Sequence, residues 1–213
     1  MRIAYLAALL LIMAAFFVGA YAYQIAGDYV PSHWNAAGEV DGRMDSFWGL
    51  FLMPLVMIPI LALLVAIPRI DPLKKNYMKF RGYFEGFIIV IILFFLYMQL
   101  LITAAALGSS FNMTVAMVPA VSLLIFFAGI MMEKTKRNWF VGIKTPWTLS
   151  SDRVWDRTHR LGGKLFKAAA VVSMLGLPAG ENAFWIMMAA IVVAAVCPVV
   201  YSYFEYQKLP RKK

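Results

Sequence analysis

Long apolar runs alternate with shorter polar segments along the whole chain. A helix needs about 20 mainly apolar residues to cross a bilayer, and a short run can be extended by flanking basic side chains that reach the interface. Six runs are candidates, of which the fifth is short: residues 3–23, 47–67, 87–107, 115–132, 165–177 and 183–203. The pattern therefore predicts an all-α fold, a polytopic membrane helix bundle with six transmembrane helices.

Composition agrees with this prediction. Of the 213 residues, 62% are hydrophobic, and the mean hydropathy of +0.74 is too high for a soluble domain. The lone Cys197 excludes an intrachain disulfide. A cleaved signal peptide ending near Ala20-Tyr21-Ala22 is an alternative for the first run, but that run is longer than the usual signal core, which favours a retained span.

The basic residues are distributed very unevenly between the two sides of such a bundle. Nineteen of the 20 lysines and arginines fall in the segments on one side, and only Arg43 falls on the other. Cytoplasmic loops of membrane proteins are rich in lysine and arginine, so we expect both termini in the cytoplasm. The same rule explains the net charge of +9 without nucleic acid, and no direct nucleic-acid partner is predicted.

The first extracytoplasmic loop, residues 24–46, is acidic. Its residues that suggest a motif are Pro31, His33, Trp34, Asn35, Gly38 and Asp41. Trp34 fits equally an interfacial anchor, which is a common role of tryptophan near a membrane surface. His33 with Asp41 and Asp45 has no recognised metal-ligand spacing, so no metal is predicted.

The third cytoplasmic segment, residues 133–164, is basic and rich in tryptophan. Ser150 or Ser151 can cap a helix with Asp152 in its first turn. One face of that helix carries Val154, Trp155, Thr158 and Leu161, and the other carries Arg153, Asp156, Arg157 and Arg160. We expect a cytoplasmic interfacial amphipathic helix whose apolar face enters the lipid boundary, followed by a change of direction at Gly162-Gly163 into the fifth span.

Polar residues within the spans are few. Pro54 and Pro59 free backbone carbonyls in the second span, so we expect that helix to pack inside the bundle. Gln99, Thr103 and Asn112 are expected to form interhelical hydrogen bonds. No ionisable residue lies at the centre of a span, which disfavours ion-coupled transport.

Catalytic motifs are also missing from the sequence. It contains no HExxH, GxSxG, P-loop or dinucleotide fingerprint, and the Asp156/His159 spacing is typical of a pair on a helix surface. We therefore predict a non-enzymatic protein without catalytic residues or a cofactor. A small membrane transporter or an envelope-related membrane enzyme remains the alternative.

Two groups of residues resemble a known family. The cytoplasmic group consists of Asn138, Gly142, Ile143, Lys144, Thr145, Pro146, Trp147, Thr148, Leu149, Val154, Trp155, His159 and Arg160. It resembles the signature of the SdpI family, bacterial membrane proteins named for immunity to a secreted killing peptide. The extracytoplasmic group resembles the N-terminal domain of unknown function that accompanies it. This suggests an N-terminal helical hairpin at residues 1–67 and a four-span SdpI-like region at 68–213.

The resemblance implies an immunity protein in the plasma membrane of a prokaryote. It implies a secreted toxin peptide as the partner outside, membrane lipid around the spans, and a cytoplasmic repressor protein that the engaged receptor holds at the membrane. Trp147, Trp155 and His159 would be candidate contacts for that repressor. The identity of the toxin and the oligomeric state stay open.

Overall fold

The computed structural model describes residues 3–210 of the chain. Within that part, seven α-helices, two strands and two short 3-10 helices follow one another. The helices are α1 Ile3–Tyr23, α2 Ser46–Ile70, α3 Arg81–Ala106, α4 Met113–Lys134, α5 Pro146–Ser150, α6 Asp152–Leu175 and α7 Ala183–Gln207. The strands are β1 Tyr29–Trp34 and β2 Val40–Asp45, and the 3-10 helices are Lys74–Lys79 and Leu177–Asn182.

The protein is an all-α, multi-pass membrane helix bundle, as the apolar runs predict. Within residues 3–210, five helical stretches are long and apolar enough to cross a bilayer: α1, α2, α3, α4 and the stretch Leu177–Gln207 that contains α7. Helix α6 is not among them, because its N-terminal half is charged. The number of six spans therefore stays a prediction. The cations at positions 2, 211, 212 and 213 lie outside the described residues.

The connections between helices meet at two ends of the bundle. At one end, which we call the hairpin end, Asn112 donates a 2.6 Å hydrogen bond to the carbonyl of Ala37. At the other, the basic end, the hydroxyl of Tyr77 donates to Asn138 at 3.1 Å. The loop after α4 therefore lies on the same side as the loop after α2, and a hydrogen bond between Thr145 of that loop and Ser202 places the end of α7 there as well.

Helix α2 shows how the bundle tolerates proline. Pro54 has no N–H to donate to the carbonyl of Leu50, and the Gln99 amide of α3 donates to that carbonyl instead, at 2.9 Å. The predicted interhelical role of Gln99 is confirmed. Helix α2 is not enclosed, however, because Ile58 and Leu63 on its other face are exposed.

The loop after α1 folds into a β-hairpin, which the sequence pattern did not predict. Strands β1 and β2 are antiparallel, with irregular pairing around His33. Val30 packs where Gly49 of α2 has no side chain, and the Ser46 hydroxyl donates to the Gly27 carbonyl. The hairpin is therefore attached directly to the start of α2.

Helix α6 corrects two predictions. It continues without interruption from Asp152 to Leu175, so the interfacial helix and the fifth predicted span are one helix. Gly162 and Gly163 lie inside it, and the predicted change of direction is wrong. A Cβ on Gly129 of α4 would lie 2.7 Å from the Gly163 carbonyl. These glycines serve close helix packing, which small residues commonly allow in membranes.

Candidate functional site

Asn138 organises the loop between α4 and α5. Its side-chain oxygen accepts hydrogen bonds from the Phe140 and Val141 amides at 2.9 and 2.6 Å, and from the Tyr77 hydroxyl at 3.1 Å. Its NH₂ group donates to the carbonyls of Lys136 and Val141, both at 2.9 Å. Only an amide carries both donors and acceptors in this arrangement, so asparagine fixes the loop against the 3-10 helix after α2.

His159 joins this loop to α6. Its Nε2 accepts the Ile143 amide at 2.9 Å, and its Nδ1 lies 2.8 Å from the Trp155 carbonyl. A carbonyl only accepts, so Nδ1 carries the proton and the ring is the neutral tautomer. Gly142 has φ +111°, and a Cβ there would overlap with Nε2. Glycine is therefore required both by the backbone and by the approach of the ring.

Burial keeps the His159 ring neutral. The residue is 1% exposed, and desolvation lowers its pKa to about 4 although the Trp155 carbonyl and Asp156 favour the charged form. At neutral pH His159 is a hydrogen-bond bridge. The predicted surface pair with Asp156 does not form, because Asp156 binds Lys136 at 3.0 Å instead.

Trp155 lies inside the protein. It is 0% exposed, its ring stacks on His159 with centroids 3.9 Å apart, and its Nε1–H donates to the Thr135 carbonyl at 3.1 Å. The prediction that it enters the lipid boundary is wrong. Neither Trp155 nor His159 presents a surface to a partner, so both stabilise the segment from within.

The Thr145-Pro146-Trp147-Thr148 sequence begins α5 with a capping box. The Thr145 side chain accepts from the Thr148 amide at 3.1 Å, and the Thr148 side chain accepts from the Thr145 amide at 2.9 Å. Thr145 also reaches Ser202 of α7 at 3.1 Å. The Trp147 ring contacts Tyr203 edge-to-face. The motif therefore ties the loop to the last helix.

Ion pairs use the acidic side chains of this region. The pairs are Arg137–Asp152 at 2.8 Å, Lys167–Glu133 at 2.8 Å, Arg157–Glu205 at 2.7 Å and Lys208–Glu205 at 2.8 Å. Lys144, Arg153 and Arg160 are exposed, and none of the three has an ion-pair partner within residues 3–210. The outer surface of the segment is therefore strongly basic.

Asp71 and Tyr77, which lie outside the predicted motif, also contribute to the structure around the loop after α4. The carboxylate of Asp71 accepts from the Leu73 and Trp139 amides at 2.6 and 2.9 Å. Burial raises the pKa of the Tyr77 hydroxyl, and the nearby carboxylate of Asp71 raises this pKa further. The sequence signal that points to Asp71 is that it is the one acidic residue in the basic loop between α2 and α3, residues 71–80.

At the hairpin end, residues of the predicted extracytoplasmic motif form a tight turn. His33 pairs with Asp41 at 2.5 Å, and the Asn35 oxygen accepts from the Glu39 amide at 3.0 Å. Gly38 has φ +84° and lies against Asn112, so a side chain there would overlap with it. Asn112 also caps α4 by accepting from Val115 at 2.9 Å. One asparagine thus starts a helix and anchors the turn.

Trp34 lies between two grooves of the hairpin end. One groove, of about 510 Å³, lies between the hairpin and the connection that includes Phe111. The other, of about 500 Å³, reaches Met187 of α7. Pro31 is buried, while His33 and Asp41 are exposed. No group of three or more His, Cys, Asp or Glu side chains suited to a metal occurs in residues 3–210.

Comparisons with known proteins match these two regions. Residues 134–202 match the SdpI/YfhL protein family, and residues 10–58 match a domain of unknown function, DUF1648. The chain is 24% identical over 202 residues to Immunity protein SdpI of Bacillus subtilis (strain 168), covering 94% of this chain and 95% of that protein. No solved structure matches. The resemblance predicted from the sequence is therefore confirmed: a region that matches the SdpI/YfhL family follows a region that matches DUF1648.

Proposed function

We propose that this chain is a non-enzymatic membrane immunity protein that protects the cell carrying it from a secreted antimicrobial peptide toxin. The observation that carries the proposal is the alignment with an immunity protein over nearly the full length of both chains. The hydrogen-bonded core around Asn138 and His159 lies in the region matched to the family. In this core the motif residues have a structural role, which does not require the protein to be an enzyme.

The proposed orientation places the basic end in the cytoplasm of a prokaryotic cell, together with both termini. It is supported by the distribution of lysine and arginine, because Arg43 is the one such residue at the hairpin end within residues 3–210. Each cation forced to the centre of a bilayer costs about 2.5–3.5 kcal/mol, so the basic segment stays outside the membrane core. The hairpin then faces the outside, where a secreted peptide arrives.

The hairpin end is the proposed toxin-binding surface. The exposed carboxylates of Asp28, Glu39 and Asp41 favour the approach of a cationic peptide. Of the two grooves beside Trp34, the one that reaches Met187 offers aromatic and apolar walls for amphipathic side chains, and the one beside Phe111 is mainly polar. Charge would speed encounter, and the grooves would supply most of the affinity.

Variants of the hairpin end test this surface. Trp34→Ala should reduce the survival of cells that depend on the protein when they meet the toxin. Tyr29→Ala is the matched control, because Tyr29 is an aromatic residue of the same strand that is 68% exposed and lines neither groove. Equal survival with both variants, at equal amounts of protein in the membrane, would contradict the assignment.

We also propose that the exposed basic surface around α5 and α6 recruits a cytoplasmic repressor when the toxin is bound. Lys144, Arg153 and Arg160 lie on this surface, and Trp147 is half-buried beside it. Lys144→Ala with Arg160→Ala should release the repressor into the soluble fraction of toxin-treated cells. Lys75→Ala, an exposed cation in another loop of the basic end, is the control. Membrane recruitment that survives the double change would exclude this surface.

A further inference from the structure

A small cavity at the basic end is lined by three cations. It lies among α1, the end of α2, the 3-10 helix Lys74–Lys79 and the start of α3. Its volume is about 140 Å³. Arg69, Lys74 and Arg81 line it, together with Tyr77 and Glu85. At about 30 Å³ for each water molecule, the space corresponds to roughly five waters.

The positive charge around this cavity is not fully balanced by the carboxylates of residues 3–210. Arg81 binds Glu85 at 2.8 Å, which neutralises one of the three cations. Within residues 3–210, no carboxylate lies within ion-pair distance of Arg69 or Lys74. Arg69 instead donates to the Val65 carbonyl of its own helix. Two cations therefore face one cavity without a carboxylate partner in the described part of the chain, which raises the local potential for an anion.

The position of the cavity favours a lipid headgroup as the source of that anion. It opens where the apolar surfaces of α2 and α3 end, at the level where headgroups meet a membrane helix. Met78 lines it and is 65% exposed, and Ile70, next to Arg69, is 57% exposed. Exposed apolar side chains beside unpaired cations match an amphiphile with a charged head and acyl chains.

We propose that this cavity binds the phosphate group of an anionic phospholipid. Arg69 and Lys74 would hold the phosphate oxygens by charge-assisted hydrogen bonds, and Met78 would contact the start of the acyl chains. The bound lipid would join α2, the 3-10 helix and α3. Since Tyr77 of the same segment donates to Asn138, the site adjoins the motif-bearing loop.

Lipid titration of the full-length protein in a nonionic detergent tests the proposal, with native mass spectrometry to count bound lipid. Phosphatidylglycerol should bind more tightly than phosphatidylcholine of the same acyl chains. Lys74→Gln or Arg69→Gln should each weaken phosphatidylglycerol binding about fivefold, as expected for one cation near an anionic headgroup. Lys74→Arg should retain binding, which separates loss of charge from loss of folding.

Lys75→Gln is the matched control, because Lys75 is the exposed neighbour of Lys74 and does not line the cavity. Equal weakening by Lys75→Gln, or equal affinity for the two lipids, would overturn the site. Inorganic phosphate added in excess separates the possible sources. Retention of phosphatidylglycerol supports a lipid ligand, whereas complete displacement would overturn the lipid assignment in favour of a soluble phosphate compound.

Discussion

The Ile143 backbone amide donates a 2.9 Å hydrogen bond to Nε2 of His159. This bond joins the loop after α4 to α6, across 16 residues of chain. His159→Ala would leave the amide without a partner, which costs about 1–3 kcal/mol for a buried group. We expect a lower free energy of unfolding in detergent, measured by thermal or denaturant unfolding.

Arg160→Ala is the control for this change, because Arg160 is exposed and adjacent in the same helix. Surface substitutions of this kind usually stay within about 0.5 kcal/mol. Equal stability of the two variants would mean that the bond contributes little to the fold.

Stability should also depend on pH through His159. Its pKa is lowered to about 4 in the folded protein, from an ordinary value of 6.5. Below pH 6.5 the unfolded chain binds a proton that the folded protein excludes, so the stabilising contribution is present above pH 6.5 and is lost as the pH falls toward 4. The loss approaches about 3 kcal/mol at pH 4.

The measurement is the unfolding temperature of the wild type and of His159→Gln between pH 7.5 and 4.5. Acidic groups elsewhere titrate in both proteins, so the difference between the two curves gives the contribution of His159 to the pH dependence of stability. Parallel curves would show that His159 does not titrate in this way.

The pairing of Gln99 with the carbonyl freed by Pro54 can be tested by a double-mutant cycle. Gln99→Leu alone removes the donor to Leu50 and should destabilise the bundle by about 0.6–2 kcal/mol, the range for hydrogen bonds between membrane helices. In a Pro54→Ala background, the new backbone N–H can reach that carbonyl, so Gln99→Leu should cost less. Equal costs in both backgrounds would contradict the coupling.

Close packing of α4 on α6 predicts a strong effect at Gly163. A Cβ there would overlap with the Gly129 carbonyl and with Glu133. Gly163→Ala should lower stability by about 1–3 kcal/mol through overpacking. Gly82→Ala in α3 is the control, because a Cβ at Gly82 meets no atom within 4 Å. Thermal unfolding of the two variants should differ, and a stable Gly163→Ala protein would argue against the close approach.

Apolar periodicity predicted most of the helices but not the hairpin. Runs long enough to span a membrane are specified by composition alone. The prolines of α2 indicated carbonyls that need a partner, and Gln99 supplies one, but α2 is not enclosed in the bundle as they predicted. The hairpin depends on long-range contacts, namely Val30 with Gly49 and the turn at Gly38 with Asn112. Irregular pairing around His33 also weakens the alternation that identifies strands.

In the basic segment, residues 133–164, the sequence pattern predicted a helix but not which of its side chains are buried. The amphipathic pattern of Val154, Trp155, Thr158 and Leu161 predicts that Trp155 enters the lipid boundary. The structure buries it, because the Thr135 carbonyl and the His159 ring supply partners that periodicity does not reveal. Likewise Gly162-Gly163 predicted a turn, whereas contact with α4 gives the pair a packing role. The family motif picks out residues that the structure joins by hydrogen bonds and ring contacts, but the motif alone does not reveal their environment.

The most direct test of the proposed immunity function is the survival of a deletion strain in conditioned medium from its parent strain. Cells without the protein should form fewer colonies than the parent, and expression of the intact chain should restore survival. Equal survival of the deletion strain and its parent, in medium that kills an unrelated sensitive strain, would contradict an immunity function.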